Sequence, residues 1–304
     1  MRRVWVIVRD SVKQWLADDA FVWAAALAFY AMLSLAPLVV LGVFLLGFIW
    51  GEQAASGQIA QRTEEFLGAE VASVVQTIIQ QADRPGVGSI SAIIGIVGLL
   101  LAATGFFVQF QAALNRIWNV QPDPAQGWWN MVRVRLMSFL MLLVIAGVLL
   151  ASMVISAVLT GMANVIEDVL PVGLPWLPHV IDIVVSLIVV TLLFAVVYRY
   201  LPDAEIAWRD TWIGAFITAA LFVIGKWGIS LYLGYASVGS AYGAAGSLAI
   251  LLVWLYYTFL IVLLGAELTK VYAREKGAHI RPAPYARPIH PESEPPPHGR
   301  PVTG

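Results

Sequence analysis

Residues 244–268 read AAGSLAILLVWLYYTFLIVLLGAEL, with a single charge, Glu267, near the far end. A helix rising 1.5 Å per residue needs about 20 such residues to cross a hydrocarbon layer about 30 Å thick. Working outward, five more stretches of similar character appear: Phe21–Trp50, Ile90–Leu114, Leu136–Gly161, Val180–Tyr198 and Trp212–Gly234. None alternates apolar and polar residues as a membrane barrel strand does. A helix bonds its own backbone groups, which lipid cannot do for it. The pattern predicts an all-α, polytopic integral membrane protein with six transmembrane helices.

Composition agrees. Sixty per cent of the 304 residues are hydrophobic and 12% are charged, about half the charged share of a soluble domain. The absence of cysteine excludes disulfides, thiolate metal sites and a cysteine nucleophile. The first 19 residues, MRRVWVIVRDSVKQWLADD, are cationic but lack the apolar core and cleavage site of a secretory signal. The net charge of −1 conceals an uneven distribution. Arg2, Arg3, Arg9 and Lys13 precede the first span, Arg116, Arg133 and Arg135 follow the second, and Arg199 and Arg209 follow the fourth. Six more basic residues lie at the carboxyl end. The opposite side carries Arg62 and Arg84. The positive-inside rule therefore predicts both termini in the cytoplasm.

Three segments flank the spans. Residues 1–20 form a predicted cytoplasmic interfacial helix, with Val4, Val8, Val12 and Trp15 along one stripe and Arg2, Arg9 and Lys13 on other faces. Such a segment either sets topology or binds anionic headgroups. Between spans 1 and 2, Leu67, Val71, Val74, Val75, Ile78 and Ile79 fall at helical spacing. An external amphipathic helix follows, lying on the outer leaflet or capping the bundle. Residues 21–276 make up the transmembrane domain. Residues 277–304 form a proline-rich cytoplasmic tail, expected to be disordered because it has too little apolar surface to offset its ordering entropy. His279, His290 and His298 lie in it, at irregular spacing that argues against a metal site.

Polar residues inside the spans are the candidate functional groups. Tyr30, Ser34 and Pro37 lie in span 1, where proline predicts a kink near Leu33 that serves as a hinge or as plain packing. Thr104, Gln109, Gln111 and Asn115 gather at the cytoplasmic end of span 2, either bonding other helices or lining a wet recess. Lys226 lies 14 residues, roughly 21 Å, beyond Trp212. A central charge costs on the order of 3 kcal/mol. Lys226 either snorkels toward external carboxylates such as Asp182, or faces a cavity that takes an anionic group. Glu267 lies at the opposite depth, so Arg116, Arg199 or Arg209 is its expected partner. Gly239, Gly243 and Gly246 space small residues for close helix packing or a re-entrant bend.

No P-loop, dinucleotide fingerprint, HExxH motif or GxSxG elbow occurs. Catalysis, cofactors, metals and nucleic-acid binding are not expected. Four stretches, AAALAFYAMLSLAPLVVL (24–41), ATGFFVQFQAALNRIWNV (103–120), LLFAVVYRYLPDAEIAWRDTWIGAFITAALFVIGKW (192–227) and YLGYASVGSAYGAAGSLAILLVWLYYTFLIVLLGAELTKVYA (232–273), resemble the YihY / virulence factor BrkB family. The resemblance covers residues 10 to 276 and implies a six-span bacterial inner-membrane protein linked to envelope integrity, serum resistance or lipid export. Some members have been labelled ribonuclease BN, a label the missing metal ligands do not support here. Positions matching the family's motifs are Tyr30, Pro37, Gln109, Asn115, Arg199, Pro202, Asp203, Lys226, Gly243, Gly246 and Glu267. The expected function is transport or positioning of a lipid or other amphiphilic envelope component. The alternatives are a structural scaffold and, more weakly, a channel. Membrane lipids, a second copy of the chain or envelope proteins are the expected partners.

Overall fold

The computed structural model describes residues 2–67, 69–82, 105–123, 136, 140, 141, 144, 147, 148, 177–236, 246–276 and 280–289. Helix α1 (Arg2–Ala17) meets α2 (Ala20–Trp50) at a 67° bend. The corner is Asp18-Asp19. Asp19 takes φ 55°, a left-handed conformation that aspartate tolerates better than most residues. Its carbonyl accepts the Val22 and Trp23 N–H groups at 2.9 and 3.1 Å and so starts α2. Helix α2 runs on through Pro37 as one element. Gly51, at φ 85°, turns it into α3 (Glu52–Leu67), and α4 (Ala69–Ala82) follows.

Helix α5 covers residues 105–117. It ends at Asn119, again left-handed, and passes into strand β1 (Val120–Pro122). Residues 136, 140, 141, 144, 147 and 148 are helical, and Met141 is buried in the main core. Then come α6 (Leu177–Tyr200), β2 (Ala204–Glu205), α7 (Trp208–Ala236), α8 (Gly246–Glu275), β3 (Arg281–Pro282) and β4 (Ala286–Pro288). Helices α6 and α8 are, among the described residues, the two long and apolar enough to cross a membrane. The bent α1–α2 pair is a third if it is counted as one span.

The core explains how these helices gather. Ala20, Ala24, Leu27 and Ala28 of α2 meet Phe107, Phe110, Ala113 and Leu114 of α5, Ala195 and Tyr198 of α6, Ala215 of α7 and Leu263 and Ala266 of α8. The many alanines let backbones approach closely, and that closeness drives association where lipid removes any hydrophobic gain. The start of α2, the ends of α5 and α6, the start of α7 and the end of α8 thereby share one end of the bundle. At the other end, Val71 and Val74 of α4 pack on Val190, Phe222, Leu251 and Trp254, while Val75 and Ile79 pack on Val39. The amphipathic segment read from the sequence is thus a helix packed on the bundle, with its apolar stripe turned inward.

The interior is mainly apolar, as in a soluble protein, but the exterior is apolar as well. Ser34, Thr191, Tyr198, Thr218, Glu267 and Thr269 are buried, whereas Phe29, Leu33, Ile183, Ile188, Phe216, Ile224 and Leu248 are exposed. Water does not tolerate so continuous an apolar exterior; lipid does.

The end of the chain departs from expectation. Residues 281–288, read as disordered, form two antiparallel pairs: β2 with β3 (Ala204↔Pro282, Glu205↔Arg281) and β1 with β4 (Val120↔Pro288, Gln121↔Arg287, Pro122↔Ala286). Further bonds run from Ala283 N–H to the Asp203 carbonyl at 3.0 Å and from Ile289 N–H to the Asn119 carbonyl at 2.9 Å. The prolines alternate with residues that keep their N–H groups, so each strand can still pair along one edge. Composition weighs apolar burial and misses this backbone-driven ordering. Residues 290–304, with His290 and His298, lie outside the described residues.

Candidate functional site

Asp203 is the centre of the first polar cluster. It is fully buried in the loop between α6 and α7. Gln111 Nε2 donates to its Oδ1 at 3.0 Å, and Asn115 Nδ2 donates to its Oδ2 at 2.8 Å. Asn115 Oδ1 in turn accepts the Asp203 N–H at 2.8 Å. Gln111 and Asn115 stand four residues apart on α5, hence on one face. The Asp203 carbonyl accepts from Ala283, so α5, the α6–α7 loop and the returning strand close on one residue. Both carboxylate oxygens accept bonds from neutral amides, which offsets part of the cost of burying the group.

A second cluster joins the α1–α2 corner to α8. Lys270 Nζ lies 3.3 Å from Asp18 Oδ2 and 3.3 Å from Glu267 Oε1. Glu267 is fully buried, and its Oε2 has no hydrogen-bond partner among the described residues. The expected pairing of Glu267 with Arg116, Arg199 or Arg209 is therefore corrected. Its cation is one turn away on its own helix, a spacing that places side chains side by side. Arg199 instead donates through Nη1 to the Ile206 carbonyl and lies over the Trp208 ring at 6.0 Å. Tyr200, Trp208 and Trp212 form an exposed aromatic chain beside it, as at a membrane–water boundary.

Helices α7 and α8 cross through a reciprocal pair of small residues. Gly214 faces Thr269, and Gly265 faces Thr218. Each threonine bonds back to the glycine carbonyl four residues earlier, Thr218 to Gly214 at 2.7 Å and Thr269 to Gly265 at 2.8 Å. Tyr198 donates to the Val262 carbonyl at 2.7 Å and lies 3.0 Å from Thr218 Oγ1. A Cβ on Gly265 would lie 2.7 Å from the Tyr198 hydroxyl and 2.9 Å from Thr218 Cβ.

The candidates read from the sequence divide accordingly. Asn115 and Asp203 meet, whereas Arg199 and Glu267 each take other partners. Gln109 is half-buried on α5, and Tyr30 is exposed on α2 beside Gly105. Pro37 lies within α2, and Gly246 is buried at the start of α8. Lys226 is half-buried on α7 and engaged by an interaction partner, next to Gly225, whose Cα packs against the Tyr257 ring. The side chain of Asp182, and the whole of Gly239 and Gly243, fall outside the described residues. Lys270, Asp18, Gly214, Gly265, Thr218 and Tyr198 were not singled out from the sequence. Only the Glu267–Lys270 spacing carried a local signal.

Apolar helices with polar residues turned inward and lipid-compatible side chains turned outward define an integral membrane protein. The match to the virulence factor BrkB family spans residues 11–290, and the chain belongs to that family. A UPF0761 membrane protein of Alteromonas mediterranea is 26% identical over 88% of this chain and 89% of its own length. One from Cronobacter sakazakii is 29% identical over 83% of each chain. Another, from Rhodospirillum centenum, is 27% identical over 86% of this chain, which spans only 56% of that longer relative. No solved structure matches.

Proposed function

We propose that the protein is a multi-pass component of a bacterial inner membrane, with six spans and both ends of the chain in the cytoplasm. In this reading it moves or positions a lipid or another amphiphilic envelope component, without catalysis, cofactor or metal. Family membership, the apolar exterior and the one-sided distribution of Lys and Arg support the setting. The observation that carries the activity is Lys226. It sits half-buried about 21 Å along α7 from the Trp212 aromatic level. A lysine at that depth holds a charge within the membrane, and in this reading an anionic headgroup joins the interaction it already makes. Lipids are the natural partners, with Tyr30, Pro37 and the α5 amides shaping the path.

The experiment is lipid flip-flop in proteoliposomes, run across lipid classes with wild type, Lys226→Met and empty liposomes. The reading requires wild type to exceed empty liposomes and the variant to lose most of the difference while folding normally. Flip-flop equal to that of empty liposomes for every class would overturn it. A second reading, a non-transporting scaffold that supports the envelope, is favoured by the Asp203 cluster, where the buried polar groups serve each other. It requires Lys226→Met to be tolerated in cells.

A further inference from the structure

Helix α1 presents two different faces. Ser11 is fully buried, with its hydroxyl bonded to the Ile7 carbonyl at 2.7 Å, and Trp15 packs on the main core and against Phe21 at 4.7 Å. The adjoining face carries Trp5, Val8, Val12 and Leu16, which are 63, 48, 38 and 53% exposed. Steps of three, four and four residues keep them on one stripe of the helix. This is not the Val4–Val8–Val12–Trp15 stripe read from the sequence; Trp15 turns inward, and Trp5 and Leu16 turn outward.

Four apolar side chains in a row on a helix surface need an apolar phase or a partner. The neighbouring helix identifies which. Past the 67° corner α2 likewise exposes apolar side chains, Phe21, Val22, Phe29 and Leu33, as the lipid-facing side of a membrane helix does. A helix bent that far from a span lies closer to the plane of the bilayer than to its normal. Charge identifies the kind of bilayer. Arg9 and Lys13 are exposed beside the stripe. The Arg9 guanidinium lies 5.2 Å from the centre of the Trp5 ring and bridges Asp10 at 2.8 Å. That places a cation at the level of an interfacial tryptophan, where headgroup phosphates sit.

We propose that α1 docks in the headgroup region of an anionic bilayer, with the Trp5–Val8–Val12–Leu16 stripe facing the acyl chains and Arg9 and Lys13 facing lipid phosphates. The stripe supplies most of the attraction, and the two cations make it depend on lipid charge. Lys270 then ties the docked helix to α8 through Asp18. This anchoring holds whether or not the protein moves lipid, so its test is separate from the flip-flop assay.

The chain has no cysteine, so single cysteines can carry a spin label without background. The full-length protein is labelled at Val8→Cys, Val12→Cys or Lys13→Cys in nanodiscs of phosphatidylcholine alone or mixed with phosphatidylglycerol. The expected result is lipid-dissolved oxygen reaching labels at 8 and 12 several-fold better than a water-soluble nickel complex, with the order reversed at 13. Phosphatidylglycerol should deepen the labels at 8 and 12, and Arg9→Gln with Lys13→Gln should abolish that increment. Equal water access at all three positions would overturn the proposal, as would depth indifferent to lipid charge. Dipolar coupling between labels at position 8 of two copies would also overturn it, making a second chain the occupant of the stripe.

Discussion

Replacing Gly265 with alanine adds one methyl group where α7 and α8 touch. The new Cβ would overlap Thr218 Oγ1, approach Thr218 Cβ to 2.9 Å and approach the Tyr198 hydroxyl to 2.7 Å. Real Cβ atoms essentially never approach a neighbour within 3.0 Å, so rotating the threonine is not enough; its Cβ is fixed to the α7 backbone. The helices must separate by several tenths of an ångström along a seam where both glycines currently lie against threonine. Overpacking of this kind costs about 1–3 kcal/mol. If Thr218 turns away, its bond to the Gly214 carbonyl and its contact with Tyr198 go too, at about 0.6 kcal/mol per bond in a membrane protein. The expected loss is about 2–4 kcal/mol. It can be measured by unfolding in mixed micelles with increasing denaturing detergent, or by steric trapping in nanodiscs. Two companions sharpen the test. Gly228→Ala, on α7 with nothing within 4 Å of the added group, should be neutral or stabilise by up to about 1 kcal/mol. Gly265→Ala combined with Thr218→Gly restores the space from the other side and should recover at least half of the loss. The reasoning fails if Gly265→Ala unfolds within about 0.5 kcal/mol of wild type, or if the double variant is no better than the sum of its parts.

Asp203→Asn keeps shape but exchanges one accepting oxygen for a donor that must face Gln111 or Asn115. One buried amide pair then lacks its match, and a destabilisation of about 1–3 kcal/mol is expected in a thermal aggregation assay. Lys270→Met leaves the Asp18 and Glu267 carboxylates together without their cation, so a loss of about 3–5 kcal/mol is expected. Glu267→Gln in the Lys270→Met background should return part of it, and an unstable double variant would refute the pairing. Ending the chain before Ile280 removes β3 and β4 and should expose the 119–123 and 201–206 segments to protease. Ending it after Ile289 keeps both strand pairs and should leave the cleavage pattern unchanged.

Much of the helical content was written in the amino-acid order. Runs of apolar residues predicted α2, α6 and α7 to within four residues of their observed ends and the start of α8 to within two, while α8 runs seven residues past the predicted Leu268, because length and hydropathy are local properties. The α4 stripe was equally legible, since its polar residues mark the other face and the apolar positions repeat with the helical period. Asp19 and Asn119 were not read as corners, although both belong to residue types that accept a left-handed backbone.

The chain alone determined that this protein needs lipid around it and which segments coil to meet it. It did not reveal which polar residues would meet. Helices α6, α7 and α8 are apolar almost all round, so no stripe in them announces the face a neighbour will take, and the rotation of each rod about its axis is left open. Gln111 and Asp203 lie 92 positions apart, and Asp18 and Lys270 lie 252 apart. Only packing, through Gly214 against Thr269 and Gly265 against Thr218, sets those rotations and so brings such distant groups within bonding reach. The returning strand likewise depends on backbone partners in β1 and β2, which exist only after the helices have brought those two segments to the same end of the bundle.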